Sequence, residues 1–169
     1  MPEPSAPRVL CLSGYDAASH RRWRETLETH LNGFEWHHCA LPPRYFRWRI
    51  RGNPLSWLDE PLLQQDWDLL LVTSMVDLAV LRGLHPKLAL TPAVAYFHEN
   101  QFFYPEQGGR SPNAEPRVVN LYTALSADRV LFNSAWNRDS FLEGARALRQ
   151  QVPDQKPATL VEQLARKSE

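Results

Sequence analysis

A chain of 169 residues can bury one substantial core but is small for two, and 43% hydrophobic with 22% charged residues is ordinary for a globular domain. Lys+Arg and Asp+Glu both total 19, so bulk charge points to neither nucleic acid nor a membrane surface, and either role would need a local patch. Met1-Pro2-Glu3-Pro4 lacks the basic and apolar regions of a signal peptide, and the apolar stretch around Leu69–Val72 lies between Asp66, Asp68 and Asp77, too short to span a bilayer; a cytoplasmic protein is expected.

Arg8–Ser13 is a compact apolar run ending at Gly14 and predicts a strand entering a turn. From Ala18 to about Leu31, Trp23, Leu27 and Leu31 recur every four residues among Arg and Glu, which predicts an amphipathic helix closed by Asn32-Gly33. Phe34–Leu41 returns to strand character and Pro42-Pro43 stops it. Residues 44–65 fit no clean period and read as a long loop with room for one short helix. Trp67–Thr73 is a continuous apolar run of strand length, Val76–Leu84 suits a short helix, and Pro92–Phe97 is a second buried strand. After a Gly- and Pro-containing loop, Pro116 opens a helix carrying Val118, Leu121, Tyr122 and Leu125. Asp128–Phe132 is a short strand, Asn133-Ser134 can cap the helix after it, and Pro157–Lys167 is a last amphipathic helix with no obvious closing strand. Strands separated by helices imply an α/β domain with a parallel sheet covered on both faces.

Cys11 and Cys39 are too few and too far apart for a disulfide framework or a metal cluster, and read as buried thiols of a reducing compartment. His37 and His38 are neighbours on a strand, so they point to opposite faces and cannot chelate one ion. No zinc spacing, P-loop or G-x-S-x-G elbow is present, so no metal is expected. Six Trp either fill a core or offer flat surfaces to ligands.

Ligands of open parallel sheets bind beyond the carboxyl ends of the strands. That rule selects Ser13–His20, Thr73-Ser74, His98–Tyr104 and Asn133–Asn137 as one cleft. At the first turn, helix-start N–H groups with Ser19 could hold an anion, though a single Gly14 is a weak signal and Ser19 could simply cap the helix. His98-Glu99-Asn100-Gln101 directly follows a buried strand; His98 can exchange a proton near neutral pH or hydrogen-bond a hydroxyl, and Glu99 can act as base or hydroxyl acceptor. Either could instead tether the next loop. Arg44, Arg47, Arg49 and Arg51 interleave with Tyr45, Phe46 and Trp48, a pairing that suits phosphates and unpaired bases, or else a solvated loop anchored by its aromatics.

Specific strings then converge. Ala95-Tyr96-Phe97-His98-Glu99-Asn100-Gln101, Tyr104-Pro105, Asn120, Leu125-Ser126-Ala127-Asp128, Phe132-Asn133-Ser134, Asn137 and Ser140-Phe141-Leu142 closely resemble the tRNA-queuosine α-mannosyltransferase family. Gly14…Ser19-His20, Arg47-Trp48-Arg49 and Val152-Pro153-Asp154 with Pro157 follow the same pattern. The resemblance runs through nearly the whole chain. It implies a Rossmann-like three-layer domain with a mainly parallel sheet, the N-terminal half of a GT-B glycosyltransferase. It implies retaining transfer of mannose from GDP-mannose to queuosine in a tRNA anticodon loop, with no cofactor beyond that nucleotide-sugar substrate.

In that frame His98 and Glu99 are the catalytic candidates, and Asn100, Gln101, Tyr104, Asn133, Ser134 and Asn137 bind the acceptor. Gly14, Ser19 and His20 face the donor phosphate, and Arg44, Arg47, Trp48, Arg49 and Arg51 contact tRNA. The whole of residues 1–169 reads as the acceptor-side domain, without the donor-binding half, and is expected to be inactive alone. Alternatives are a non-catalytic tRNA- or nucleotide-binding module, or a glycosyltransferase with another acceptor such as a lipid or small polyol.

Overall fold

The computed structural model describes residues 5–103 and 114–169, so Tyr104 and most of the loop before the fourth helix lie outside the described residues. The apolar runs form five parallel strands: β1 (Arg8–Ser13), β2 (Glu35–Ala40), β3 (Leu69–Thr73), β4 (Ala93–Phe97) and β5 (Arg129–Phe132). Their spatial order is β2-β1-β3-β4-β5, and every neighbouring pair is parallel. Helices α1 (Ala18–His30), α2 (Phe46–Ser56), α3 (Leu78–Leu84), α4 (Ala114–Ser126), α5 (Ala135–Gln151) and α6 (Leu160–Lys167) connect or follow the strands. This is the expected α/β, Rossmann-like sheet flanked by helices.

The alternation of side chains along each strand divides the core in two. On one face, Val9, Cys11 and Leu71 pack against Trp23 and Leu27 of α1. On the other, Leu10, Leu12, Leu70, Val72, Ala95, Phe97 and Val130 meet Leu81 of α3, Leu121 of α4, Phe141 of α5 and Leu164 of α6. Cys11 and Cys39 are both free and buried, and burial pushes each thiol up to about 12, so neither is a nucleophile near neutral pH. His37 and His38 do point apart: His37 contacts Trp67, whereas His38 stacks on Trp36 and pairs with Glu28.

Two expectations about elements need correcting. The stretch read as a loop is largely helix: α2 runs for 11 residues through Gly52, Asn53 and Pro54. Pro54 cannot donate to the Ile50 carbonyl one turn back. Asn53 Nδ2 takes over there at 3.4 Å and also donates to the Arg49 carbonyl at 2.7 Å, so the side chain mends what the ring breaks. The chain end also pairs with the sheet. Glu169 N–H donates to the Val130 carbonyl at 2.9 Å, and the Glu169 carbonyl accepts from Phe132 N–H at 3.0 Å, extending the sheet beyond β5.

Candidate functional site

The turn after β1 is built on a close approach. A Cβ on Gly14 would lie 2.9 Å from the Met75 carbonyl oxygen of the loop after β3. Only a residue without a side chain lets these two strand ends meet. Gly14→Ala is therefore expected to cost about 1–3 kcal/mol, read as a lower urea midpoint at unchanged m-value. Ser19 is not the cap of α1. Ala17 occupies that position without a side-chain hydrogen bond, and Ser19 stands exposed in the first turn.

His20 and Trp23 lie three residues apart on α1 and so share the face turned to the sheet. There they meet the end of β4. The His20 and His98 rings stack with centroids 4.1 Å apart and planes 14° off parallel. Trp23 and Tyr96 each meet the His98 ring at 4.8 Å, and His20 Nε2 lies 3.4 Å from a Glu99 carboxylate oxygen. Trp23, read in sequence only as a core position, is thus a wall of the box that holds His98.

Burial in this aromatic box, with the neighbouring His20, pushes the His98 pKa down to about 4 against the partial pull of Glu99. The ring is neutral near pH 7. Between about 4 and its ordinary 6.5 the unfolded chain binds a proton that the folded chain does not, so stability is complete above that window and falls as pH drops through it. Burial shifts His38 and His85 in the same direction. Urea midpoints at about pH 7.5 and about pH 5 should show the loss, and His98→Asn should reduce it.

Beyond β4 and β5 opens a cleft of about 260 Å³. Its polar wall comes from His98, Glu99, Asn100, Asn133, Ser134 and Asn137, and Phe103 and Trp136 complete it. Several of these polar groups are engaged with each other. Asn100 Nδ2 donates to the Asn137 side-chain oxygen at 2.8 Å and to Ser140 Oγ at 2.9 Å, while Asn100 Oδ1 accepts from Phe102 N–H. Asn137 Nδ2 donates to the Phe97 carbonyl, and Asn133 Nδ2 to the His98 carbonyl at 2.7 Å. Ser134 caps α5 as expected, its Oγ accepting from Asn137 N–H. Gln101 lies deeper: its N–H donates to Asn120 Oδ1, and Asn120 Nδ2 in turn donates to the Ser74 carbonyl.

Of the four segments expected to share one cleft, only those after β4 and β5 line it; Gly14, Ser19, His20 and Thr73-Ser74 do not, His20 touching the wall through His98 and Ser74 reaching it through Asn120 and Gln101. Phe103 and Trp136 fall within the two segments selected from sequence, His98–Tyr104 and Asn133–Asn137, but were not singled out there as site residues. The helical spacing of His20 and Trp23 was a usable signal for the box.

The basic stretch takes a different form from a loop. Phe46 meets Tyr15 of the β1 turn edge-on at 5.7 Å, and Ile50 packs with Met75 and Val119, which seats α2 beside the same edge of the sheet. Arg51 is committed to the protein: Nη1 lies 2.7 Å from the buried carboxylate of Asp77, and Nε lies 3.4 Å from Glu115. Burial raises the Asp77 pKa, and Arg51 opposes that rise. Arg49 hydrogen-bonds Ser56. Arg44 lies over the Tyr45 ring, Arg47 is exposed, and Trp48 is half exposed. Among the described residues no helix is long and apolar enough to cross a membrane, and no cluster of three His, Cys, Asp or Glu residues forms a metal site.

The family described as "tRNA-queuosine alpha-mannosyltransferase N-terminal" matches residues 8–169. The tRNA-queuosine alpha-mannosyltransferase of Drosophila melanogaster is 30% identical over 161 residues, covering 95% of this chain and 43% of that protein. The chain thus spans less than half the length of that relative. No solved structure matches with significance.

Proposed function

This chain belongs to the tRNA-queuosine alpha-mannosyltransferase N-terminal family, and from that premise we propose that it is the acceptor-presenting half of a retaining GT-B mannosyltransferase. The observation that carries the reading is the match of residues 8–169 to an N-terminal family, coinciding with a polar cleft at the carboxyl edge of the sheet. Mannose passes from GDP-mannose to a hydroxyl of the cyclopentenediol of queuosine. The bond from the anomeric carbon to the diphosphate oxygen breaks, the bond to the acceptor oxygen forms on the same face, and the departing phosphate takes the hydroxyl proton. GDP leaves. No resident metal or cofactor takes part, and the setting is the cytoplasm.

In this mechanism His98 acts as a neutral hydrogen-bonding group to the transferred sugar, which its lowered pKa supports. Glu99 orients the acceptor hydroxyl. Asn133 and Ser134 reach the substrate from the floor, with Tyr104 nearby in sequence. Asn100, Gln101 and Asn137, whose polar groups are engaged inside the protein, hold that floor in shape. Gly14, Ser19 and His20 line the donor-phosphate side at the start of α1. Closing the cleft falls to a donor-binding domain, and residues 1–169 taken alone are expected to give no mannosyl transfer, which an assay of the isolated chain checks.

The tRNA backbone runs over Arg44, Arg47, Trp48 and Arg49. Arg51 contributes less, because Asp77 and Glu115 already neutralise it. Replacing Arg44, Arg47 and Arg49 with Ala should weaken tRNA binding and flatten the slope of log K against log salt by about 2 to 3, close to one unit for each phosphate that is no longer neutralised. Unchanged affinity and slope would contradict the assignment.

A further inference from the structure

Phe103 and Trp136 stand out among the cleft residues because they are large and apolar yet lie open. Trp136 is 68% exposed and Phe103 48%, and their rings meet edge-to-face with centroids 6.2 Å apart. Isolated exposed aromatics need no explanation, but a pair that borders a polar cleft does.

Both are held on rigid supports. Trp136 is the second residue of α5, whose start is fixed by the Ser134 cap. Helical side chains lean toward the N-terminus, so the indole leans over the cleft mouth. Phe103 ends a turn that Asn100 closes by accepting from Phe102 N–H. The next residue back, Phe102, is seated over Gly144, where a Cβ would lie 2.2 Å from its ring.

Taking the tRNA reading above as given, we infer that Phe103 and Trp136 form a stacking corner for one unpaired base of the RNA, next to the sugar-transfer cleft. The corner offers one bare ring face and one ring edge, which suits a flat heterocycle lying on Trp136 with its rim against Phe103. Every base has such a face, so the corner contributes affinity and position while the polar wall beside it supplies discrimination. A base carrying the acceptor group, or its immediate neighbour, would then be held out of the helical stack with its hydroxyls turned toward Glu99.

The test uses the full chain, an RNA hairpin with a seven-nucleotide loop, and the same strand annealed to its complement as a fully paired duplex. Trp136→Ala should weaken hairpin binding on the order of tenfold or more and leave duplex binding unchanged. Trp136→Phe should restore most of the affinity, and Phe103→Ala should weaken hairpin binding to a smaller extent. The salt slope should not move, because stacking releases no counterions. Thermal melts should match wild type, since the side chain is mostly in solvent. If wild type binds the hairpin and Trp136→Ala binds it equally well, the stacking corner is overturned while the tRNA reading stands. If wild type binds neither RNA, the tRNA reading falls and this inference with it. Equal weakening of hairpin and duplex by Trp136→Ala would also overturn stacking on an unpaired base.

Discussion

Replacing Phe141 with Ala is expected to lower the unfolding free energy by about 3–5 kcal/mol and the thermal midpoint by roughly 10 °C. The side chain is fully buried at the centre of an aromatic cluster, with ring centroids 5.1 Å from Phe97, 5.4 Å from Phe132 and 5.7 Å from Phe102. It joins α5 to β4, β5 and the loop after β4. Removing the phenyl ring leaves a cavity that rigid strands cannot close. Because the same packing holds both walls of the cleft together, ligand binding should fall with stability. Phe141→Leu, which refills most of the space, should be milder in both respects. Calorimetry on the three proteins checks the order.

Asn137→Leu is the second large effect, about 2–4 kcal/mol, for the opposite reason. The heavy-atom count and branching of the side chain are unchanged, but the substitution strips partners from groups that water reaches poorly. The Phe97 carbonyl loses its 2.9 Å donor and keeps only the 3.3 Å bond from Asn133 N–H, Asn133 Oδ1 loses a donor at 2.9 Å, and Asn100 Nδ2 loses its 2.8 Å acceptor while keeping Ser140 Oγ and the Asn137 backbone carbonyl. Each hydrogen bond lost contributes about 0.5–1.5 kcal/mol, and three go at once, although Asn133 is exposed enough to turn to water. Removing both ends of the Asn100–Asn137 hydrogen bond should cost less than the sum of the single changes, since Asn100→Leu with Asn137→Leu leaves neither amide stranded against the other. A double-mutant cycle in urea measures that coupling. Additive effects would show that the two amides act independently.

Much of the fold was legible because its signals are local. β1, β3 and β4 are unbroken apolar runs, and α1 has a four-residue apolar period, so strand and helix followed without tertiary information. α2 was hidden because residues 44–65 show no clean helical period and Pro54 lies inside the helix. Its integrity depends on Asn53, whose side chain reaches the Met75 carbonyl at 3.0 Å and accepts from Asp77 N–H at 3.1 Å, partners 22 and 24 residues away that no window reveals.

The site divides the same way. The carboxyl-end rule found His98-Glu99 and Asn133-Ser134 because a sheet's topology fixes where loops converge. It could not show that two of the wall residues, Asn100 and Asn137, have their amides engaged in holding the cleft's frame. In the same manner Arg51 looked like its neighbours in sequence, and only the fold shows it committed to Asp77. Phe103 and Trp136 fall inside the segments that the carboxyl-end rule selected, but nothing singled them out, since exposure of an aromatic is a property of the folded surface and not of spacing.

Whether this edge of the sheet holds the modified nucleoside can be measured by titrating the chain with two tRNAs that differ at one position, queuosine in one and unmodified guanosine in the other. Tighter binding of the queuosine form is expected, with the preference abolished in Glu99→Ala while binding of the guanosine form is unchanged. Equal affinity for both tRNAs, or a preference that survives Glu99→Ala, would contradict an acceptor site built on His98 and Glu99.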